Sequence, residues 1–261
     1  MFDPASPFVT TSGSEGLPPG AESMNAVAYK RLRQAVVQLD LKPGHRVTEA
    51  ELADRYGLGR ASVRTALIRL SVVGLVEAQA RHGWLVATVT GALVGEIVAA
   101  RRALEPSLTE VRLSEGLTGK VETLVAMNRA LSGQRGQALA TARINDRQIL
   151  ALLASRLDRF HCRWLAEVWD HTDRVVNHFH ATTHPWQPPD RDGLVHAIVA
   201  GDANAVRCEV EAAIAAFEAW VTRAVLRAPV SLSLPAPRVP RPTEARGTQV
   251  RQVRASQEAG R

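Results

Sequence analysis

Residues 52–70 read LADRYGLGRASVRTALIRL, and the pattern divides into a helix, a tight turn and a second helix. Thr48 with Glu51 three residues on is a capping box, so the first helix starts there and runs through Leu52, Ala53 and Tyr56 until Gly57 ends it. In the second helix Val63, Ala66, Leu67 and Leu70 fall at i, i+3, i+4 and i+7 and make a buried stripe, while Arg60 and Arg64 lie one turn apart near its exposed start. That start is where a helix-turn-helix meets base edges. Guanidinium suits the place because it is bidentate to guanine O6 and N7 or clamps a phosphate, and the helix N-terminus adds amide donors. Ordinary helical hairpins share the spacing, so a surface helix with scattered arginines is the reading to weigh against it.

With 261 residues and 46% hydrophobic content, the chain is long enough for two ordinary domains. Ala, Leu and Arg are plentiful, and no long run of alternating β-branched residues appears, so a mainly helical protein is expected. No apolar run reaches membrane-spanning length, and the first residues lack both the basic and the apolar segments of a signal peptide. A cytoplasmic protein is therefore expected. Cys162 and Cys208 make no disulfide framework and read as reduced thiols within helices. Charge is uneven: residues 25–90 carry ten Lys or Arg against five acids, whereas residues 91–228 carry sixteen of each sign. The basic excess thus falls on the helix-turn-helix, where phosphate attraction would use it.

Residues 1–24 are rich in Ser, Gly and Pro without periodicity and are expected to be a disordered arm. A helix over 27–38 follows, and Leu41-Lys42-Pro43-Gly44 turns the chain toward the capping box. After Leu70, residues 74–78 and the β-rich run 84–89 flank Arg81-His82-Gly83, predicting two short strands around a turn, a wing. At its tip Arg81 and His82 are placed to reach the minor groove or a phosphate, with Gly83 allowing close backbone approach; a solvent-exposed turn is the plainer reading of His82. Further helices are expected over 92–113, 119–132, 135–154, 159–180, 192–200 and 203–228, packed as an antiparallel bundle, with Pro185, Pro188 and Pro189 marking the longest internal loop. The Pro- and Arg-rich residues 229–261 read as a basic disordered tail. The expected division is thus an arm to 24, a DNA-binding domain over 25–90, a helical domain over 91–228 and the tail.

The order of Leu41-Lys42-Pro43-Gly44, Glu49 with Leu52-Ala53, Arg60 with Val63-Arg64 and Ala66-Leu67, then Gly74-Leu75-Val76 and a Gly-containing wing resembles the winged helix of GntR-type bacterial transcription regulators. Arg101-Arg102-Ala103-Leu104-Glu105 is similar to the opening of the all-helical effector domain of the FadR subfamily, the FCD domain. Residues 197–202 with Ala205 resemble a later helix junction of that domain. The resemblance covers roughly residues 26–226 and implies a homodimer that binds a palindromic operator, as a repressor, and responds to a small effector.

The chain departs from this family in two places. Many such effector domains hold a divalent metal with one Asp and three His; here the Asp position is Asp146, and the His positions are Leu150, Arg191 and Ala213. One carboxylate does not hold a structural transition metal, so no metal or other cofactor is expected. Arg191 and Arg101 are then candidates to grip an anionic effector directly, beside free volume and apolar surface at Leu150 and Ala213; the alternative is that Arg191 only neutralises Asp146 across a collapsed pocket. At the recognition turn, Gly59 and Ala61 stand where the family carries hydroxyls, which leaves Ser62 as the nearest substitute. Two competing functions remain open. His171, His178, His180 and His184 cluster in sequence, but no Glu or nucleophile motif makes them an enzyme site. A DNA-binding dimer whose helical domain has lost its effector is the nearer alternative.

Overall fold

A computed structural model describes residues 23–180 and 185–227. The expectations for the N-terminal arm, His184 and the basic tail lie outside the described residues, Ser23 and Met24 excepted. The architecture is mainly α: three helices and a small sheet come first, and a run of further helices follows.

The first part holds α1 (Met24–Val37), β1 (Arg46–Val47), α2 (Glu49–Tyr56), α3 (Arg60–Val72), β2 (Val76–Gln79) and β3 (Gly83–Val86). Thr48 Oγ1 accepts the Glu51 amide at 3.2 Å, which starts α2, and Gly57 ends it at φ 63°. α1 packs along α3, and Leu32 and Val36 from one helix join Val63, Leu67 and Leu70 from the other in a buried cluster that extends to Val86. The sheet has the order β1-β3-β2, all antiparallel, with Val47 opposite Trp84 and Gln79 opposite Gly83. The two wing strands match the expectation. β1 does not, because two residues are too few to show an alternating pattern.

The second part holds α4 (Gly91–Leu104), a 3-10 helix (Glu105–Glu110), α5 (Glu115–Ala130), α6 (Gln137–Ala154), α7 (Arg159–Phe179), α8 (Asp192–Ala200) and α9 (Ala203–Arg227). The helix expected over 92–113 is therefore shorter. Pro106 lacks the amide that would continue the α ladder, so the chain tightens to 3-10 geometry after Leu104. A second hydrophobic cluster, from Val89 to Ala224, fills this part around Trp169, Phe217 and Ile149. No helix among the described residues is long and apolar enough to cross a membrane.

One helix serves both parts. Along α7, Asp170 pairs bidentately with Arg33 of α1, and the His171 ring meets the Val73 carbonyl at 2.8 Å. Arg174 donates to the Ala87 carbonyl, and Asn177 Nδ2 donates to the Val37 carbonyl at 2.8 Å. These residues recur at helical spacing, so one stripe of α7 holds the winged helix while Leu165, Trp169 and Val176 face the bundle core.

Candidate nucleic-acid interface and helical cavity

α3 begins at Arg60 with Gly59 as its N-cap, and no side chain caps it, so its first-turn amides are left to solvent or a ligand. Arg60 and Arg64 are exposed and Ser62 is half-buried. The Arg64 Nε donates to Glu49 Oε1 at 2.9 Å, although its side chain remains 67% exposed. That pair holds the guanidinium against α2 and is weak enough to exchange for a phosphate or base. Arg60 has no ion pair with any described residue.

At the wing tip Arg81 and His82 are exposed, as the sequence suggested. The His82 amide closes a turn on the Gln79 carbonyl at 3.0 Å, and Arg81 within that turn is left-handed at φ 66°. Gly83 also packs inside the wing. At φ 78° a Cβ there would lie 2.7 Å from the Val47 carbonyl oxygen, so the glycine permits a close approach to β1. Arg46, exposed on β1 opposite Leu85, adds a cation that sequence reasoning missed because it lay in an unrecognised strand. Between the end of α1 and the end of α2, Asp40 accepts from Arg55 and Tyr56, each at 2.5 Å. The Tyr56 hydroxyl is pushed up to about 12, first by burial and then by Asp40.

In the helical part Arg101, Asp146, Leu150, Arg191 and Ala213 all line one cavity, so the structure does bring these five together. The cavity encloses only about 30 Å³, roughly one water molecule. The reason is geometric: Arg191 projects into the space and pairs with Asp146, Nε to Oδ1 at 2.8 Å and Nη2 to Oδ2 at 3.3 Å. Burial alone lowers the pKa of Arg191, but the adjacent Asp146 outweighs it and the net shift is upward. Arg101 is sealed as well. It donates to Glu105 at 2.5 and 3.3 Å, Glu105 also accepts Trp169 Nε1 at 2.8 Å, and the Arg101 guanidinium lies 5.0 Å from the Phe217 ring centroid. The open volume expected at Leu150 and Ala213 is thus closed by two salt-bridged arginines, with Arg191 on Asp146 as in the alternative reading of the sequence. Among the described residues no three His, Cys, Asp or Glu side chains converge as a metal site.

The histidine cluster separates into different roles. His171 is half-buried, its pKa lowered first by burial, and Nε2 carries the proton given to the Val73 carbonyl. His178 packs edge-on against Phe179, with ring centroids 4.9 Å apart. Arg174 is fully buried with no carboxylate partner among the described residues, and burial pulls its pKa down to about 10. Its Nε and Nη1 have no hydrogen-bond partner among the described residues.

A larger space lies elsewhere. A groove of about 500 Å³ runs between α1 on one side and α6 and α7 on the other, with the Arg33–Asp170 pair inside it.

Residues 25–86 match the profile of the family described as bacterial regulatory proteins, gntR family. The HTH-type transcriptional regulator YdhC of Bacillus subtilis (strain 168) is 32% identical over 87 residues, which is 33% of this chain and 39% of that protein. An HTH-type transcriptional regulator in an unstable DNA locus of Streptomyces ambofaciens is 40% identical over 77 residues, 30% of this chain and 33% of that one. The chain therefore spans little more than a third of these curated relatives. Among solved structures, E. coli McbR/YncC superposes with a TM-score of 0.66 at 19% identity, over 78% of this chain and 99% of that one. A GntR regulator structure from Rhodococcus sp. RHA1 gives 0.58 at 19% identity, over 77% and 99%. At such identity the likeness concerns the fold, and it extends through the helical part. Residues 25–86 thus form a winged helix-turn-helix of the GntR type that bacterial transcription regulators carry.

Proposed function

We propose that the chain is a cytoplasmic, ligand-responsive transcription regulator of the FadR subfamily, with an FCD-type helical domain over 91–228. In this reading two copies pair and present their winged helices, residues 25–90, to the two half-sites of a palindromic operator, which they repress. The observation that carries it is the exposed start of α3. There Arg60 and Arg64 flank uncapped helix amides, in a segment that matches the gntR profile. The wing places Arg81 and His82 on an exposed turn of the same small domain. Two-fold pairing follows from the short stretch that one recognition helix reads. A footprint of the purified protein on the DNA upstream of its own gene tests the proposal. A protected palindrome is expected, with a dimer by light scattering. No protection overturns the DNA-binding reading, and a monomer on a nonpalindromic footprint overturns the dimer.

The closed cavity around Arg191 favours a second reading, a DNA-binding dimer that has lost effector binding at the place where the family has its metal. Thermal stabilisation by a small ligand that Arg191→Ala abolishes would exclude it.

A further inference from the structure

We infer that the groove between α1 and the α6–α7 pair is a binding site for a small amphipathic anion, a carboxylate on an apolar body, whose charge competes with Asp170 for Arg33. The inference concerns this chain's response to ligands. It rests on the DNA-binding reading only for its consequence at α3.

Size comes first. At about 500 Å³ the groove falls in the range of roughly 300–1,000 Å³ typical of ligand pockets, whereas the cavity around Arg191 does not. The charged lining comes second: Lys30, Arg33 and Arg147 line the groove together with Asp170 and Asp173. Asp170 is shared. Arg33 holds it from α1, and Arg147 Nη2 holds it from α6 at 3.0 Å while its Nε lies 3.3 Å from Asp173. A carboxylate arriving between the two guanidinium groups replaces Asp170 on Arg33 without leaving Asp170 unpaired, because Arg147 keeps it. The apolar component comes third. Ile144 stands 64% exposed at the groove, and the exposed Ala151 leaves room about two helical turns further along α6.

The position gives such a ligand a lever. Arg33 belongs to α1, which shares its buried face with α3, and the Arg33–Asp170 pair ties α1 to α7. Exchanging it for a ligand carboxylate loosens the winged helix from α7 on the side nearest the recognition helix's packing partner. Binding energy at the groove is thereby converted into a shift between held and released winged helix.

Calorimetric titration of the full chain with naphthoate tests the site without DNA, so its outcome is independent of the operator footprint. Saturable binding is expected, weakened about tenfold or more by Ala151→Trp, which fills the groove from an exposed position and leaves the melting temperature unchanged. Arg33→Ala is expected to weaken naphthoate similarly and to leave the neutral naphthalene methanol unaffected. The inference is overturned if naphthoate shows no saturable binding, if its affinity is unchanged in Ala151→Trp, or if naphthylmethylamine, the cationic analogue, binds as tightly.

Discussion

At the start of α3, Arg60 is exposed and has no ion pair with any described residue; inside the helical part, Arg191 is 6% exposed and clamped on Asp146. Both residues look alike in sequence as cations near a site. Removing a guanidinium from water costs several kcal/mol, which its carboxylate and hydrogen bonds must offset, so a sealed pair resists any ligand that would take one partner. An exposed guanidinium exchanges hydration for a phosphate or a base edge at little cost. The difference teaches that arginine at a candidate site is informative about binding only together with its degree of desolvation and its existing partner. Arg64 stands between the extremes, paired with Glu49 yet two-thirds in solvent.

The largest expected effect probes the sealed side. Arg191→Ala leaves the Asp146 carboxylate, itself only 14% exposed, without its partner, and loss of one member of a buried pair costs about 3 to 5 kcal/mol. Chemical denaturation should show that loss with an unchanged dependence on denaturant. A stability within experimental error of wild type would mean that the pair opens readily, and the contrast with Arg60 would collapse.

Arg60→Ala probes the exposed side. Its melting temperature should match wild type, while operator binding weakens by about 1 to 3 kcal/mol, the scale of one bidentate base contact. Equal losses of stability and affinity would show that Arg60 is a structural residue after all.

The legibility of the molecule follows the same divide. α2 and α3 were readable because caps, breakers and the apolar stripe are local, and the five residues around Arg191 were assigned to one site that the fold does assemble. The sequence leaves open whether that site is roomy or collapsed, since whether an arginine fills or lines a cavity depends on packing from α4, α6, α8 and α9 together. The α7 stripe was equally hidden. His171, Arg174 and Asn177 bind carbonyls of Val73, Ala87 and Val37, and a backbone carbonyl has no sequence signature. Asp170 meets Arg33 across 137 positions, beyond any periodic pattern.

A smaller effect is expected at Asp173, which lies between the closed cavity and the open groove. Its carboxyl is pushed up to about 6, first by burial, with Asp170 adding and Arg147 opposing. A folded pKa above the unfolded 3.8 gives a stability contribution that is complete below about pH 3.8 and lost as pH rises through about 6. Because the side chain is 37% exposed, solvent screening reduces the effect to about 1 kcal/mol. Asp173→Asn removes this titration. It should melt like wild type near pH 4 and above wild type near pH 8. The reverse order would show that the Arg147 pair dominates, placing Asp173 with the sealed ion pairs.

The smallest effect sharpens the comparison at the wing. Arg81 holds a left-handed φ of 66° in a turn where glycine would be at ease, and that conformation costs an L-residue about 1 to 2 kcal/mol. Glycine relieves the strain but loses more freedom on folding, so Arg81→Gly should stabilise the protein by less than about 1 kcal/mol. The same change removes a cation that nothing in the fold neutralises among the described residues. If Arg81 meets a phosphate, operator binding weakens and its dependence on salt becomes shallower by about one counterion. A strained arginine kept at a solvent-exposed tip makes physical sense when its charge acts outside the fold. Should Arg81→Gly lower the melting temperature and leave the salt dependence unchanged, the wing arginine works within the wing, and the contrast between exposed and sealed arginines would hold at α3 alone.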